Sequence, residues 1–451
     1  MIRLLLSVTI AATLSSGLVA EASSNANHKN HVIVVTIDGC GAFYLSDPKA
    51  SIPNLRKLAG RGVAAKGMIV ANPAVTWPNH TTIVTGVLPS KHSLLYNGLL
   101  VRDKKGGWLR EEERSKMEMI AVPTVYDFLH EKGYTTAGIN WSASQGASTL
   151  DFCMPDLHTP IPYSTPQLIK ELTAAGILDD SSPAAFLKTT QPKRDQIWTD
   201  AACYLLREHR PNLLLLHFLI TDSTQHRFGP QGPEAYNALK IVDGHIGELC
   251  DTLDKTGLSG STSLFIVADH GFERVYKQIV SGTILRKAGL LETDDGMTRV
   301  QAIPEGGTLM VYFCSAKTRE ADRAQVVKLF KHQEGVDKII EPKNFAKYGY
   351  PSPEKNPRMA DLVISAKRGY SFAGVEKTDE TVISTRPGGN GSHGYLASDP
   401  NMNAIFIAAG RGIAKGKKIG FVKNIDIAPT VSYLLGEKFP NADGKVLKQI
   451  L

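Results

Sequence analysis

"HVIVVTIDG", residues 31–39, decides the fold. Its run of β-branched and apolar side chains suits a strand covered on both faces, as in the middle of a parallel sheet, not an alternating strand with one wet face. The run then stops at an aspartate and a glycine, so the chain turns on a charged residue. Outward from this stretch the same rhythm returns. "PNLRKLAGRG" (53–62) reads as a helix with Pro at its start and Gly at its end, followed by a strand at 62–70. Helix and strand alternate again at 124–133 and 134–140, at 194–212 and 213–221, and at 233–257 and 262–269. A last unit pairs "NAIFIAAG" (403–410) with "IDIAPTVSYLLG" (425–436). This is the pattern of an α/β protein whose doubly wound, mainly parallel sheet carries helices on both faces. From about 275 to 390 the rhythm breaks into two strand-like stretches and a helix separated by Pro, Gly and Lys, and reads as an inserted cap subdomain.

Composition narrows the class. With 451 residues, 42% of them hydrophobic and 21% charged, the chain is globular and not disordered. The net charge of +7 is spread along the chain and is densest in "GRGIAKGKK" (410–418). No long basic run is interleaved with aromatics, which argues against a nucleic-acid partner and leaves a mildly positive surface suited to a small anionic one. The N-terminus has one early basic residue, Arg3, an apolar stretch to about Ala20, and the small-x-small triplet Ala20-Glu21-Ala22. That pattern is a cleaved signal peptide over residues 1–22, which implies a secreted or periplasmic protein with no stable membrane insertion afterwards. The five cysteines are isolated and odd in number, so they form neither a disulfide scaffold nor a thiolate metal site. Nothing in the sequence specifies an oligomeric state.

In open parallel sheets, binding and catalysis sit beyond the carboxyl ends of the strands. The first strand ends in Asp38; the strand at 213–221 leads into "TDSTQH" with Asp222 and His226; the strand at 262–269 ends in "ADHG" with Asp269 and His270. The glycine-rich "GGNGSHGY" adds His393, and "AVTWPNHTTIVTG" (74–86) places Thr76 where a helix begins. Singly, each has a plain reading: Asp38 as a turn residue, Asp222 as a helix cap, Thr76 as an N-cap. Together, three aspartates and three histidines converge on one sheet edge. Asp and His ligands without thiolates suit Zn²⁺, and six are too many for one tetrahedral ion with an open position but fit two. Paired metals are a device for displacement at phosphorus, and Thr76 is the hydroxyl they would activate.

The stretches "VTIDG", "TWPNHTTIVTGVLPSKH", "YNG", "DSTQHRFGP", "VADHG" and "GSHGY" resemble, in order and spacing, the nucleotide pyrophosphatase/phosphodiesterase family of the alkaline phosphatase superfamily. The resemblance implies one zinc on Asp38, Asp269, His270 and Thr76, a second on Asp222, His226 and His393, and Thr76 as a nucleophile that forms a covalent phospho-threonine. It further implies that Asn97 binds a phosphoryl oxygen, although Asn-Gly is also a turn signal. Trp77 either stacks on the substrate or packs in the core. The family's tyrosine on the far side of the nucleotide slot has no counterpart at 185–200. His80, His92 and His217 are left as structural residues. The expected activity is hydrolysis of small phosphodiesters or pyrophosphates. A phosphomonoesterase or a phosphonoacetate-type phosphonate hydrolase on the same frame is the alternative, and an exported non-catalytic binding protein with structural metal is the alternative from another class. A sulfatase is disfavoured because "TWPNH" lacks the arginine of a C/S-x-P-x-R setting.

Overall fold

The computed structural model describes residues 29–179, 182–374 and 378–451, so the expected signal peptide at 1–22 lies outside the described residues. Eight strands form the central sheet: β1 (His31–Ile37), β2 (Val63–Ile69), β3 (Thr136–Trp141), β4 (Phe152–Pro155), β5 (Leu213–Phe218), β6 (Thr262–Val267), β7 (Phe406–Gly410) and β8 (Lys417–Lys423). Their order is β8-β2-β7-β6-β1-β5-β3-β4. β1 lies between β5 and β6 and parallel to both, with Val34 opposite Leu215 and Phe265. Every residue of β1, β3, β5 and β6 is buried, which requires cover on both faces of the sheet and explains why these strands read as unbroken apolar runs.

β7 runs antiparallel to both β2 and β6. Its N-terminal end therefore lies at the same sheet edge as the C-terminal ends of β1, β5 and β6. That single reversal brings a segment from far along the chain to the edge where the aspartates emerge.

Two strands of the sheet are missing from the sequence reading. β8, "KKIGFVK", holds one buried residue, Val422, because an edge strand faces water and its lysines discourage pairing with another chain. β4 has only four residues. The stretch "MADLVISAKRGYSF" is two strands, Leu362–Ala366 and Gly369–Ala373, divided at Gly369 with its φ of 83°. The first belongs to a four-stranded sheet with Val300–Pro304, Thr308–Phe313 and Val336–Ile340; the second runs parallel to Glu273–Val280. All five cysteines are free.

A second core joins residues 300–366 to residues 95–108: Leu95, Tyr96, Leu100 and Trp108 pack with Met310, Tyr312, Tyr350 and Val363. Glu305 is buried beside it, and its Oε1 has no hydrogen-bond partner among the described residues. Burial pushes its carboxyl up from 4.5 to about 8, against a weak opposing pull from Arg110. A carboxyl raised in the folded state is stabilising while protonated, and that contribution is lost as pH climbs from the unfolded value through the folded one. Glu305→Gln is therefore expected to match the wild type near pH 4.5 and to become more stable by about 1–3 kcal/mol toward pH 8. Melting curves of the two proteins across that interval check this; a difference independent of pH would contradict it.

Candidate active site and metal centre

Asp38 follows β1 directly, and Gly39 turns the chain with φ 66°. Asp269 and His270 stand two and three residues beyond β6. After β5 the chain enters helix α2 (Ile220–Phe228), whose i,i+4 spacing sets Asp222 and His226 on one face, with His226 Nε2 3.3 Å from Asp222 Oδ1. Asp222 is thus an interior helix residue and not a cap. His393 follows the short strand Asn390–Ser392, and its Nε2 is 3.8 Å from the same Asp222 oxygen. His270 Nε2 lies 3.4 Å from Asp38 Oδ1 and 3.2 Å from Asp269 Oδ2. The six expected residues are all brought together.

The three imidazoles share one arrangement. Each puts Nδ1 against a backbone carbonyl: His226 on Gly391 at 3.3 Å, His270 on Gly271 at 3.1 Å, His393 on Ala74 at 3.2 Å. A carbonyl only accepts, so Nδ1 carries the proton and Nε2 presents a lone pair. Carbonyl-anchored imidazoles of this kind are characteristic of metal ligands. Facing them, Asp38 Oδ1, Asp222 Oδ1 and Asp269 Oδ2 are buried oxygens without any hydrogen-bond partner among the described residues. Ligand atoms of Asp38, Asp269 and His270 lie within 4.8 Å of one another, as do those of Asp222, His270 and His393.

Charge tells the same story. Burial, then the Asp222 and Asp269 charges, raise the Asp38 carboxyl well above its ordinary value. Burial opposes ionisation of Asp222 too, but His226, His393 and His270 together hold its carboxyl well below the usual range. Burial pushes His270 down to about 4 and holds His393 well below its ordinary value; burial opposes the charged form of His226 as well, but the adjacent Asp222 raises it. Three buried carboxylate oxygens without hydrogen-bond partners among the described residues, facing imidazole nitrogens held in place through Nδ1, fit a divalent cation.

Thr76 is the first residue of helix α1 (Thr76–Thr85), whose N-cap is Val75 with no side-chain cap bond. The Thr76 hydroxyl is therefore not spent on capping. It lies 3.5 Å from His270 Nε2, beside the ligand cluster. Asn97 Oδ1 accepts the Trp77 backbone N–H at 2.9 Å, which fixes the amide and leaves its NH₂ group as the free end. Of the two sequence readings of Trp77, stacking on substrate or packing in the core, the geometry favours packing: its side chain clusters with Leu94, Leu99, Met119 and Ile120, and the residue is only 4% exposed. Its indole N–H donates to Asp156 at 2.9 Å, so the ring is a core residue.

Several contributors escaped the sequence reading. His80 Nδ1 donates to the Thr76 carbonyl at 2.9 Å, and burial holds His80 down to about 3. His217 Nε2 is 3.3 Å from Asp38 Oδ2, while His217 Nδ1 and His80 Nε2 each lie 2.8 Å from the Thr36 hydroxyl. Asp195 accepts the backbone N–H groups of Leu219 and Ile220 at the start of α2. A histidine inside "LLLLHF" was the one available signal, since a polar ring in a buried strand needs a partner. His92 is buried away from these, 3.1 Å from the Thr82 hydroxyl.

The family model for type I phosphodiesterase/nucleotide pyrophosphatase matches residues 32–396. A pyrophosphatase/phosphodiesterase of Schizosaccharomyces pombe is 27% identical over 414 residues, covering 90% of this chain and 76% of that protein. Human ectonucleotide pyrophosphatase/phosphodiesterase family member 1 is 23% identical over 406 residues, covering 88% of this chain but 39% of its own length. Among solved structures, murine ectonucleotide pyrophosphatase/phosphodiesterase 5, an inactive threonine-to-alanine variant in complex with AMP, superposes with a TM-score of 0.67 at 18% identity. The superposition covers 92% of this chain and 97% of that one.

Buried carboxylates that repel one another should be relieved by cations, and an ion that binds the folded state alone stabilises it by mass action, about 2.7 kcal/mol at a free concentration of 100 Kd. Chelation is expected to lower Tm by several degrees, and zinc is expected to restore it. A Tm indifferent to both would contradict the metal assignment.

Proposed function

The chain belongs to the type I phosphodiesterase/nucleotide pyrophosphatase family and is a phosphoric diester hydrolase, and on that premise we propose that it is exported and cleaves small phosphodiesters or pyrophosphates with two zinc ions and Thr76 as nucleophile. The observation that carries this reading is the set of three carbonyl-anchored histidines aimed at orphaned carboxylate oxygens, next to an uncommitted threonine hydroxyl. Asp38, Asp269 and His270 would hold one ion with Thr76; Asp222, His226 and His393 would hold the other. Bound there, the ions supply Lewis acidity that lowers the pKa of a nearby hydroxyl and neutralises phosphoryl charge.

The chain's own residues do the rest. Deprotonated Thr76 Oγ1 attacks phosphorus in line; the P–O bond to the leaving group breaks, and the departing oxygen keeps the electron pair and takes a proton. The product is an ester between Thr76 and the phosphoryl group. Water then attacks the same phosphorus, Thr76 Oγ1 leaves, and the hydroxyl is regenerated. Asn97 donates from its free NH₂ group to a non-bridging oxygen, and the positive end of α1 favours the developing charge. His80, bonded to the Thr76 carbonyl, keeps that first turn in place.

The donor set favours diesters. A monoester dianion is best met by a guanidinium or a further cation. From Thr76 to Leu100 the sequence has one lysine and no arginine, and Lys91 turns outward to Asp443 at 2.6 Å. Asn97, a neutral amide, suits the single charge of a diester. Export is supported by the N-terminal pattern and by the names of the ectoenzyme relatives; among the described residues no helix is long and apolar enough to cross a membrane.

Kinetics test this reading. With bis-p-nitrophenyl phosphate, kcat/KM should exceed that for p-nitrophenyl phosphate by at least about tenfold, or ~1.4 kcal/mol. Thr76→Ala should lose about a thousandfold or more, ~4 kcal/mol, while still binding zinc through the six remaining side chains. Asn97→Ala should lower kcat/KM for both substrates. A monoester preference, or near wild-type turnover by Thr76→Ala, would overturn it.

A further inference from the structure

Helix α2 presents two stripes of side chains, and the reaction as described uses one. Asp222 and His226 face the ligand cluster. Thr221 and Gln225, also four residues apart, face the Asp38–Gly39 turn. The Thr221 hydroxyl donates to the Asp38 carbonyl at 2.5 Å, and Gln225 Nε2 donates to the Gly39 carbonyl at 3.0 Å. The other end of the same peptide segment serves a different ligand: the Gly39 N–H donates to Asp269 Oδ1 at 3.2 Å, which leaves Asp269 Oδ2 unpartnered and aimed at the cluster. Gly39 is thus a backbone link between the two groups of ligands. Its φ of 66° suits glycine, and a Cβ there would meet Phe272 at 2.7 Å and Gln225 Nε2 at 3.2 Å, so the contact is tight.

Gln225 is itself fixed. It is 1% exposed, its Oε1 accepts the Tyr44 hydroxyl at 2.8 Å, and Tyr44 Oη in turn accepts the Gln231 N–H at 2.9 Å. The amide orientation is therefore determined: carbonyl toward Tyr44, NH₂ toward Gly39. An amide with both ends satisfied in a fully buried position acts as a rigid spacer.

We propose that Gln225 is a positioning residue that sets the separation of the two metal ions, by clamping the helix that bears Asp222 and His226 to the turn that bears Asp38 and orients Asp269. This rests on the two-ion reading above. In-line displacement needs both ions at a fixed spacing, so loosening the clamp should cost more in the transition state than in substrate binding.

The test compares wild type, Gln225→Met, Gln225→Glu and Tyr44→Phe, all loaded with zinc. Met keeps the volume and loses both bonds; Glu keeps the shape but cannot donate to Gly39; Tyr44→Phe leaves Gln225 in place with its carbonyl end unheld, and serves if the Gln225 variants do not fold. X-ray absorption should show a changed or broadened zinc–zinc distance in the variants, and competition with a chelating dye should show about tenfold or more weaker binding of one of the two ions. kcat should fall about tenfold or more with KM changed far less. A role confined to packing would lower Tm while leaving zinc spacing and both affinities as in wild type. That result, in a folded variant, overturns the proposal and leaves the two-ion reading standing. A wild type carrying a single zinc overturns both.

Discussion

Three carboxylates share one buried pocket at the edge of a parallel sheet, and everything around them is arranged to make that tolerable. Asp38 and Asp269 are wholly enclosed, and burial, then the charges of Asp222 and Asp269, raise the Asp38 carboxyl. Protonation alone could relieve the repulsion, but the surroundings are built otherwise. Three imidazoles are tied by Nδ1 to backbone carbonyls, and three carboxylate oxygens are left without hydrogen bonds among the described residues. Such a site costs stability empty, and cations bound there would offset that cost. The proposed nucleophile belongs to the same constraint, because Thr76 starts a helix whose cap position is filled by Val75, leaving its hydroxyl beside the cluster.

The topology follows from where those groups must meet. Asp38, Asp222 and Asp269 come from the ends of three adjacent parallel strands or just beyond. His393 reaches them because β7 runs the opposite way, so the segment before it arrives at the same edge. Residues 300–366 are fastened nearby through a core shared with Leu95, Tyr96, Leu100 and Trp108, and the Gly307 N–H is bonded to the His393 carbonyl at 2.8 Å.

Much of this was legible in the sequence for a physical reason. Strands buried on both faces have no polar alternation, so "HVIVVTI" and "LLLLHF" announce themselves, and a charge at the end of such a run has to be compensated. What escaped was decided by tertiary context. β8 is lysine-rich because it is an edge, and no periodicity marks it. Trp77 could stack or pack, and only the neighbours Leu94, Met119 and Asp156 decide between them. Gln225 looks like a surface glutamine until the Gly39 carbonyl and the Tyr44 hydroxyl are placed on either side of it. Side chains that act through a hydrogen bond to distant backbone leave no spacing signature.

The central claim is that a threonine oxygen, and not water, makes the first bond to phosphorus. The stereochemical course at phosphorus tests it most directly. Two in-line displacements, first by Thr76 and then by water, invert the centre twice, so a diester made chiral by sulfur substitution and hydrolysed in isotopically labelled water should give product with net retention of configuration. Net inversion would mean a single displacement by water and would contradict the account.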